Sequence, residues 1–268
     1  MNQSLFEGEI SLVGGRSTVT RRGDVVFRAA APWSATVLAL LRHLEREGFA
    51  HAPRVIDSGF DVHGREMLSF VAGESPHPYP WGDDALPVLG EMLRQLHRAT
   101  ASFVPPEDAV WRPWFGRQIG QPRVIGHCDT GAWNIIARDS RPVALIDWEV
   151  AGPVDPLTEL AQAAWLNALL FDDDLAEELG LGSVAQRGRQ VRLLLDGYGL
   201  PAAQRVGFVD LVRDFAPHNA ANELAQYDGA PVAPAPAELL AAVGWRTRSA
   251  AWLVRHHDLL DRIVTARA

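Results

Sequence analysis

The chain has 268 residues, 47% of them hydrophobic and 22% charged, with a formal net charge of −8 and a sequence pI near 5.6. That composition buries a sizeable core, and the acidic excess argues against nucleic acid as a partner while tilting toward neutral or cationic ones. The single cysteine, Cys128, excludes an internal disulfide and a Cys-rich zinc site. No apolar run nears the ~20 residues of a membrane span, and "MNQSLFEGEI" lacks a signal pattern, so a cytoplasmic protein with no membrane partner is expected.

In chain order, "EISLVGG" and "DVVFRAA" read as short strands on either side of a Gly- and Ser/Thr-rich turn, "GGRSTVTRRG". Ser34 stands where a cap would open a helix from about Ala35 to Glu47, with Val37, Leu40, Leu41 and Leu44 on one face and Gly48 ending it. "PRVIDSGF" and "REMLSFVAG" read as two more strands. The Pro-, Gly- and aromatic-rich "GESPHPYPWGDD" reads as a linker. Beyond it the texture turns helical. "ALPVLGEMLRQLHRAT" places Leu86, Leu89, Met92, Leu93 and Leu96 on one face, and the chain from about Leu157 onward is mostly helix, interrupted by "DGAPVAPAPAE". The expected architecture is α+β with two lobes: residues 1–75, a small β-sheet lobe with one helix, and residues 76–268, a larger, mainly helical one.

Lysine is absent; all 25 basic residues other than histidine are arginine. That excludes a P-loop, whose phosphate lysine is obligatory, and Schiff-base chemistry.

The densest chemistry lies in "GHCDTGAWNIIARDSRPVALIDWEV". Ile135–Arg138 and Val143–Ile146 have strand composition, and "DSRP" between them is turn chemistry. Paired as a hairpin with Ile135 facing Ile146, they bring Asn134 and Asp147 to the same end. A neutral oxygen and a carboxylate there suit a hard cation that keeps waters and shares phosphate oxygens, as Mg²⁺ does. Asp129, on the loop leading in, is within reach of a proton on a substrate hydroxyl.

This run resembles the catalytic signature of the aminoglycoside phosphotransferase and choline kinase group, relatives of protein kinases. His-x-Asp-x-x-x-x-Asn is present as His127, Asp129 and Asn134, followed by a strand-ending Asp in "LIDWE". "GPVDPLTELA" is similar to the group's Gly-x-x-Asp-Pro-x-x-Asp-Leu-Ala, with Glu159 in place of its second Asp, and "LRQLHRAT" resembles the helix before the catalytic loop.

The resemblance implies a kinase-like fold and transfer of the terminal phosphoryl group of ATP or GTP to a small hydroxylated acceptor. Asp129 would be the catalytic aspartate, Asn134 and Asp147 the Mg²⁺ ligands, and His127 and Asp155 supports of the loop. Gly14 and Gly15 would let backbone approach the phosphates, and Ser69, Phe70 and Val71 would form the hinge that meets the base. The group's strand lysine falls at Arg28, and its helix glutamate falls near Val37, so the usual Lys–Glu pair is missing; the nearest acid on that helix is Glu45. That gap is the support for an alternative, a nucleotide-binding regulatory protein without transfer activity. Asp214, His218 and Asn222, with Glu223 beside them, recur at helical spacing as candidate acceptor contacts or as a solvated face, and Pro217 should kink that helix. Cys128, where relatives usually carry Gly, reads as a small buried residue. The acceptor expected is an aminoglycoside or another antibiotic, and the protein a monomer or homodimer.

Overall fold

The computed structural model describes residues 8–12, 19–225 and 236–266. Gly14 and Gly15 therefore lie outside the described residues. The N-terminal region is one antiparallel sheet of β1 (Ile10–Leu12), β2 (Val19–Arg22), β3 (Val25–Arg28), β4 (Val55–Phe60) and β5 (Glu66–Ser69), in the order β1-β2-β3-β5-β4. One of these strands was unexpected: β2 lies inside the segment read as a turn. Its "VTRR" carries charge where strands are usually apolar, and cross-strand pairing with β1 and β3 outweighs that composition. The two lobes expected from sequence are thus an antiparallel sheet with one helix, followed by a mainly helical remainder.

Helix α1 (Ser34–Arg46) buries Val37, Leu40, Leu41 and Leu44, as its spacing predicts. Ser34 does not cap it from outside. It is the first helical residue, and its hydroxyl accepts from the Ala31 amide at 2.8 Å instead. At the other end Gly48, at φ +76°, lets the Phe49 amide turn back to the Leu44 carbonyl at 2.9 Å.

The helical lobe is built on α2 (Ala85–Thr100). Leu86, Leu89, Met92, Leu93 and Leu96 are at most 1% exposed, each worth about 1.5–3 kcal/mol of burial. Two short strands not anticipated from sequence, β6 (Val124–Gly126) and β9 (Gly152–Val154), pair antiparallel and bracket residues 127–151. Between them β7 (Ile135–Arg138) and β8 (Arg141–Leu145) form the anticipated hairpin, its tip made by Asp139 and Ser140, both at positive φ. The register differs by one residue: Ile135 faces Leu145, not Ile146, so Ile146 lies opposite Asn134 and its amide bonds the Asn134 carbonyl at 2.9 Å. The turn closes on Asp139 and Ser140 alone, so Arg138 faces Arg141, two residues off the expected pairing, and a bulge between Ile136 and Ala137 takes back one of the two. Asp147 still emerges at the Asn134 end.

Helices α3 (Pro156–Asn167), α4 (Asp173–Glu178), α5 (Val184–Tyr198), α6 (Phe208–Ala225) and α7 (Ala237–Thr265) complete the lobe. Helix α6 continues through Pro217 without interruption, so the proline does not divide it. The lobes are pinned where the Leu145 amide bonds the His51 carbonyl (2.9 Å) and the His51 ring bonds the Val143 carbonyl (2.8 Å). No helix among the described residues is long and apolar enough to cross a membrane.

Helices α2 and α5 cross almost backbone to backbone through two glycines. A Cβ on Gly90 would overlap the Leu194 carbonyl oxygen, and one on Gly197 would overlap the Pro87 carbonyl. Neither obstacle is a flexible side-chain end, so the helices themselves would have to separate. Gly90→Ala, which raises intrinsic helix propensity, is therefore expected to destabilise by about 2 kcal/mol or more in chemical denaturation. A neutral or stabilising outcome would contradict this crossing.

Candidate active site

The loop between β6 and β7 holds its shape through a chain of buried bonds. Glu159, on α3 and fully buried, accepts the Cys128 amide through Oε1 at 2.6 Å and meets His97 Nε2 through Oε2 at 2.5 Å. His97 Nδ1 in turn meets the Tyr198 hydroxyl at 2.9 Å, linking α3, α2 and α5. Burial works against charge on Glu159, but the bond and charge of His97, with the Cys128 amide, hold its carboxyl below the ordinary glutamate value. Gly126 makes room for it, since a Cβ there would overlap the Glu159 carboxylate. Gln162 and Asn167, farther along α3, bond the backbone of Cys128 and Thr130. His97 was visible in "LRQLHRAT" only as part of a helix; its partnership with Glu159 spans 62 residues.

Cys128 sits at φ +64°, a left-handed conformation that glycine adopts without cost, which is the physical reason a Gly suits that place. Burial pushes its thiol well above the ordinary value, so it is a packed residue and no nucleophile.

His127 is fully buried, and its ring works between two backbone groups. Nδ1 accepts from the Asp129 amide (3.3 Å) and Nε2 donates to the Ile146 carbonyl (2.8 Å), so the proton sits on Nε2. One imidazole thereby sets the distance between the Asp129 loop and the residue before Asp147. Trp148 packs edge-on against it, ring centroids 4.8 Å apart. Asp155 lies away from the cleft. It caps α3 through the Leu157 amide and holds the Gln121 amide, both at 2.9 Å.

Asn134 donates its side-chain amide to the Asp129 carboxylate (2.8 Å) and to the Asp129 carbonyl (3.0 Å). Burial pushes the Asp129 carboxyl up and the Asp147 carboxylate pushes the same way, while His127, Asn134 and Trp133 oppose them. Asp147 is at φ +60°, ψ +61°, an uncommon conformation for an aspartate that turns the chain out of β8. The structure thus brings Asp129, Asn134 and Asp147 into one cluster.

Arg28 joins that cluster. Its Nη1 bonds Asp147 Oδ1 at 2.7 Å, and its Nε makes a short bond to Glu66 on the neighbouring strand. Arg28 and Glu66 face each other in the β3–β5 register. Burial alone would lower the guanidinium's affinity for its proton, but Glu66, Asp147 and Glu149 more than offset it. Sequence alone places no acid beside Arg28, since the expected partner lies on α1. Glu45 there pairs with Arg54 at 3.7 Å instead. Glu66 is 1% exposed, and its Oε1 has no donor among the described residues. A Glu directly opposite Arg28 on the neighbouring strand was the available signal, and only strand register reveals it.

In the segment expected to be the hinge, the Ser69 and Phe70 amides are already bonded to the Arg54 and Asp24 carbonyls, each at 2.8 Å. Arg21 stacks 3.5 Å from the Phe70 ring centroid. On α6, Asp214 and His218 are exposed, Asp214 paired with Arg213 at 2.8 Å, while Glu223 is engaged by Arg246 of α7 at 3.1 Å.

The sequence signature described as the phosphotransferase enzyme family matches residues 107–194, the segment that contains Asp129, Asn134 and Asp147 but not Arg28 or Glu66. The trifolitoxin immunity protein of Rhizobium leguminosarum bv. trifolii is 60% identical over 257 residues, covering 94% of this chain and 97% of that protein. Among solved structures, a microcompartment-associated aminopropanol kinase superposes with a TM-score of 0.63 at 14% identity, covering 94% of this chain and 93% of its own. An aminoglycoside phosphotransferase from Alicyclobacillus acidocaldarius gives 0.58 at 14% identity, covering 96% and 94%. A choline/ethanolamine kinase family protein from Mesorhizobium loti gives 0.52 at 19%, covering 96% and 92%. The chain belongs to the aminoglycoside phosphotransferase and choline kinase-like family, with the bilobal kinase-like fold.

Replacing Glu159 by Gln removes the charge that holds Cys128 and His97, and should cost about 2 kcal/mol at neutral pH. Because the folded carboxyl sits below its unfolded value, that stabilisation is complete above the ordinary glutamate range and is lost as pH falls through the folded value. The stability gap between wild type and Glu159→Gln should therefore close in acid. A gap that stays constant with pH would show that Glu159 is not held charged.

Proposed function

We propose that this protein transfers the terminal phosphoryl group of ATP or GTP to a hydroxyl of a small molecule. The toxin immunity in its relative's name fits inactivation of a toxic compound by such a transfer. The observation that carries this reading is the cluster itself: Asp129 bonded to Asn134, with Asp147 beside them and Arg28 reaching in from the sheet.

Residues 1–75 form the nucleotide-binding lobe in this reading, and 76–268 the catalytic and acceptor-binding lobe. Asp129 orients the acceptor hydroxyl and takes its proton as the new O–P bond forms. Its retention by Asn134 keeps the accepting oxygen in one place, which is where positioning contributes most. Arg28 does the work of the missing strand lysine on the phosphates, always charged and able to bond two oxygens at once. Glu66 holds it, as the helix glutamate would hold a lysine. This pair supports transfer over the alternative, a regulatory protein without transfer activity.

The donor set fits a magnesium ion. The Asn134 side-chain oxygen and the Asp147 carboxylate are hard oxygens, and Asp147 is 40% exposed, leaving room for waters and phosphate oxygens. Bound there, the ion would neutralise phosphate charge. Val71, beyond the two engaged amides, is the hinge residue left to present a backbone N–H to the base. Asp214, His218 and Asn222 offer polar contacts to the acceptor from α6, and the acidic net charge favours a cationic acceptor such as an aminoglycoside.

Asp129→Ala should lower turnover by ~10² or more while nucleotide binding persists, measured by product mass spectrometry across aminoglycosides, nucleoside antibiotics and amino alcohols. Intact turnover would sink the assignment. Asp147→Ala should instead abolish the magnesium dependence of nucleotide binding in calorimetry. Glu66→Gln should weaken nucleotide binding by about tenfold, and an unchanged affinity would remove Glu66 from the site.

A further inference from the structure

A cavity of about 320 Å³ opens between the start of α2, the end of α3 and the start of α5. Its size falls in the range of about 300–1,000 Å³ typical of small-ligand sites. Trp81, Leu169 and Leu181 give it apolar walls, and Arg187, Arg189 and Gln190 its polar ones.

Arg187 is the unusual member. It is 3% exposed, and no carboxylate among the described residues forms an ion pair with it. The acid whose charge acts on it, Asp173, is bonded to Trp252 at 2.8 Å and to Arg255 at 3.3 Å. One face of the guanidinium lies 4.1 Å from the Trp252 ring centroid. Both of its hydrogen bonds leave from Nη1, to the Leu169 and Phe171 carbonyls at 3.2 and 2.8 Å. They satisfy the end of α3 and need only that one nitrogen. The opposite edge, Nε and Nη2, has no acceptor, and Nε is completely buried. Nη2 is neither bonded nor sealed off, so it is the charged donor left for a group entering the cavity. A buried, unpaired cation is costly, and burial lowers its pKa below the ordinary arginine value.

The rest of the wall does not compensate it. Asp83 also lines the cavity, but its carboxylate is held by Arg189 and Gln190, both at 3.1 Å. Formal charge on the walls is therefore net positive in a protein whose overall charge is −8.

We propose that this cavity is a second ligand site, for a small apolar carboxylic acid whose carboxylate pairs with the Arg187 guanidinium through Nη2. The ligand's body lies against Trp81, Leu169 and Leu181. The site is separate from the phosphotransfer cluster but joined to it: the Trp81 indole donates to Asn167 (2.9 Å), whose amide donates to the Thr130 carbonyl (2.7 Å), next to Asp129. The proposal does not rest on the phosphotransfer reading, because none of its residues serves that chemistry.

The test is calorimetry and thermal denaturation of the full chain with benzoate, without nucleotide. Benzamide serves as the neutral match and inorganic phosphate as the non-apolar anion. Benzoate should bind and raise the melting temperature, with benzamide and phosphate each about tenfold weaker or more. Arg187→Lys keeps the charge but removes Nη2, and Leu181→Trp fills the cavity from the opposite wall. Each should cut benzoate affinity about tenfold or more. If the first variant does not fold, the second carries the test alone. Absence of benzoate binding, equal binding of benzamide or phosphate, or undiminished binding to Leu181→Trp would each overturn the proposal. Those failures would leave the Asp129 and Asp147 predictions untouched.

Discussion

The buried carboxylate of Glu159 is the constraint on which the site depends. A charge in the interior persists only with donors arranged around it, and here the donors are the Cys128 amide and the His97 ring. The first fixes the loop that carries Asp129; the second fixes α2 against α3 and, through Tyr198, against α5. Gly126 must lack a side chain for the carboxylate to fit, and Gly90 and Gly197 let α2 and α5 approach closely. The longer reach of a glutamate in place of the family's aspartate is thus matched by its surroundings.

A second set of charges joins the sheet to this scaffold. Arg28 is held by Glu66 within the sheet and reaches Asp147 across the cleft. It is 12% exposed, so both ion pairs act in a region where water screens weakly. The left-handed backbone at Cys128 and at Asp147 gives the same picture from the other side. Both residues adopt an unfavourable conformation because buried bonds around them, the Glu159–amide bond and the His127 bridge, determine where the chain must go. Local preference yields to those bonds, and the result is a cluster of acidic and amide groups aimed into one cleft.

Much of this was legible in order along the chain. The hairpin of β7 and β8, the apolar faces of α1 and α2, and the grouping of Asn134 with Asp147 follow from short-range pattern. The errors are instructive. Strand β2 hid in a polar segment because its support comes from neighbouring strands. The hairpin register slipped by one because the turn closes on Asp139 and Ser140 where "DSRP" suggested four residues, and a bulge, which has no reliable compositional mark, takes back only half of that shift. Ser34 looked like a cap but opens the helix itself, with its hydroxyl turned back to Ala31.

By itself the sequence determined the elements whose hydrophobic period is strong, the family through His127, Asp129, Asn134 and Asp147, and the absence of the usual lysine. Only the tertiary structure decided what replaces the lysine's partner, because Arg28 and Glu66 are 38 residues apart and meet through strand register. The same holds for His97 with Glu159 and for the unpaired edge of Arg187. Each depends on which groups share the interior without water, and a buried charge records its partners in space rather than along the chain.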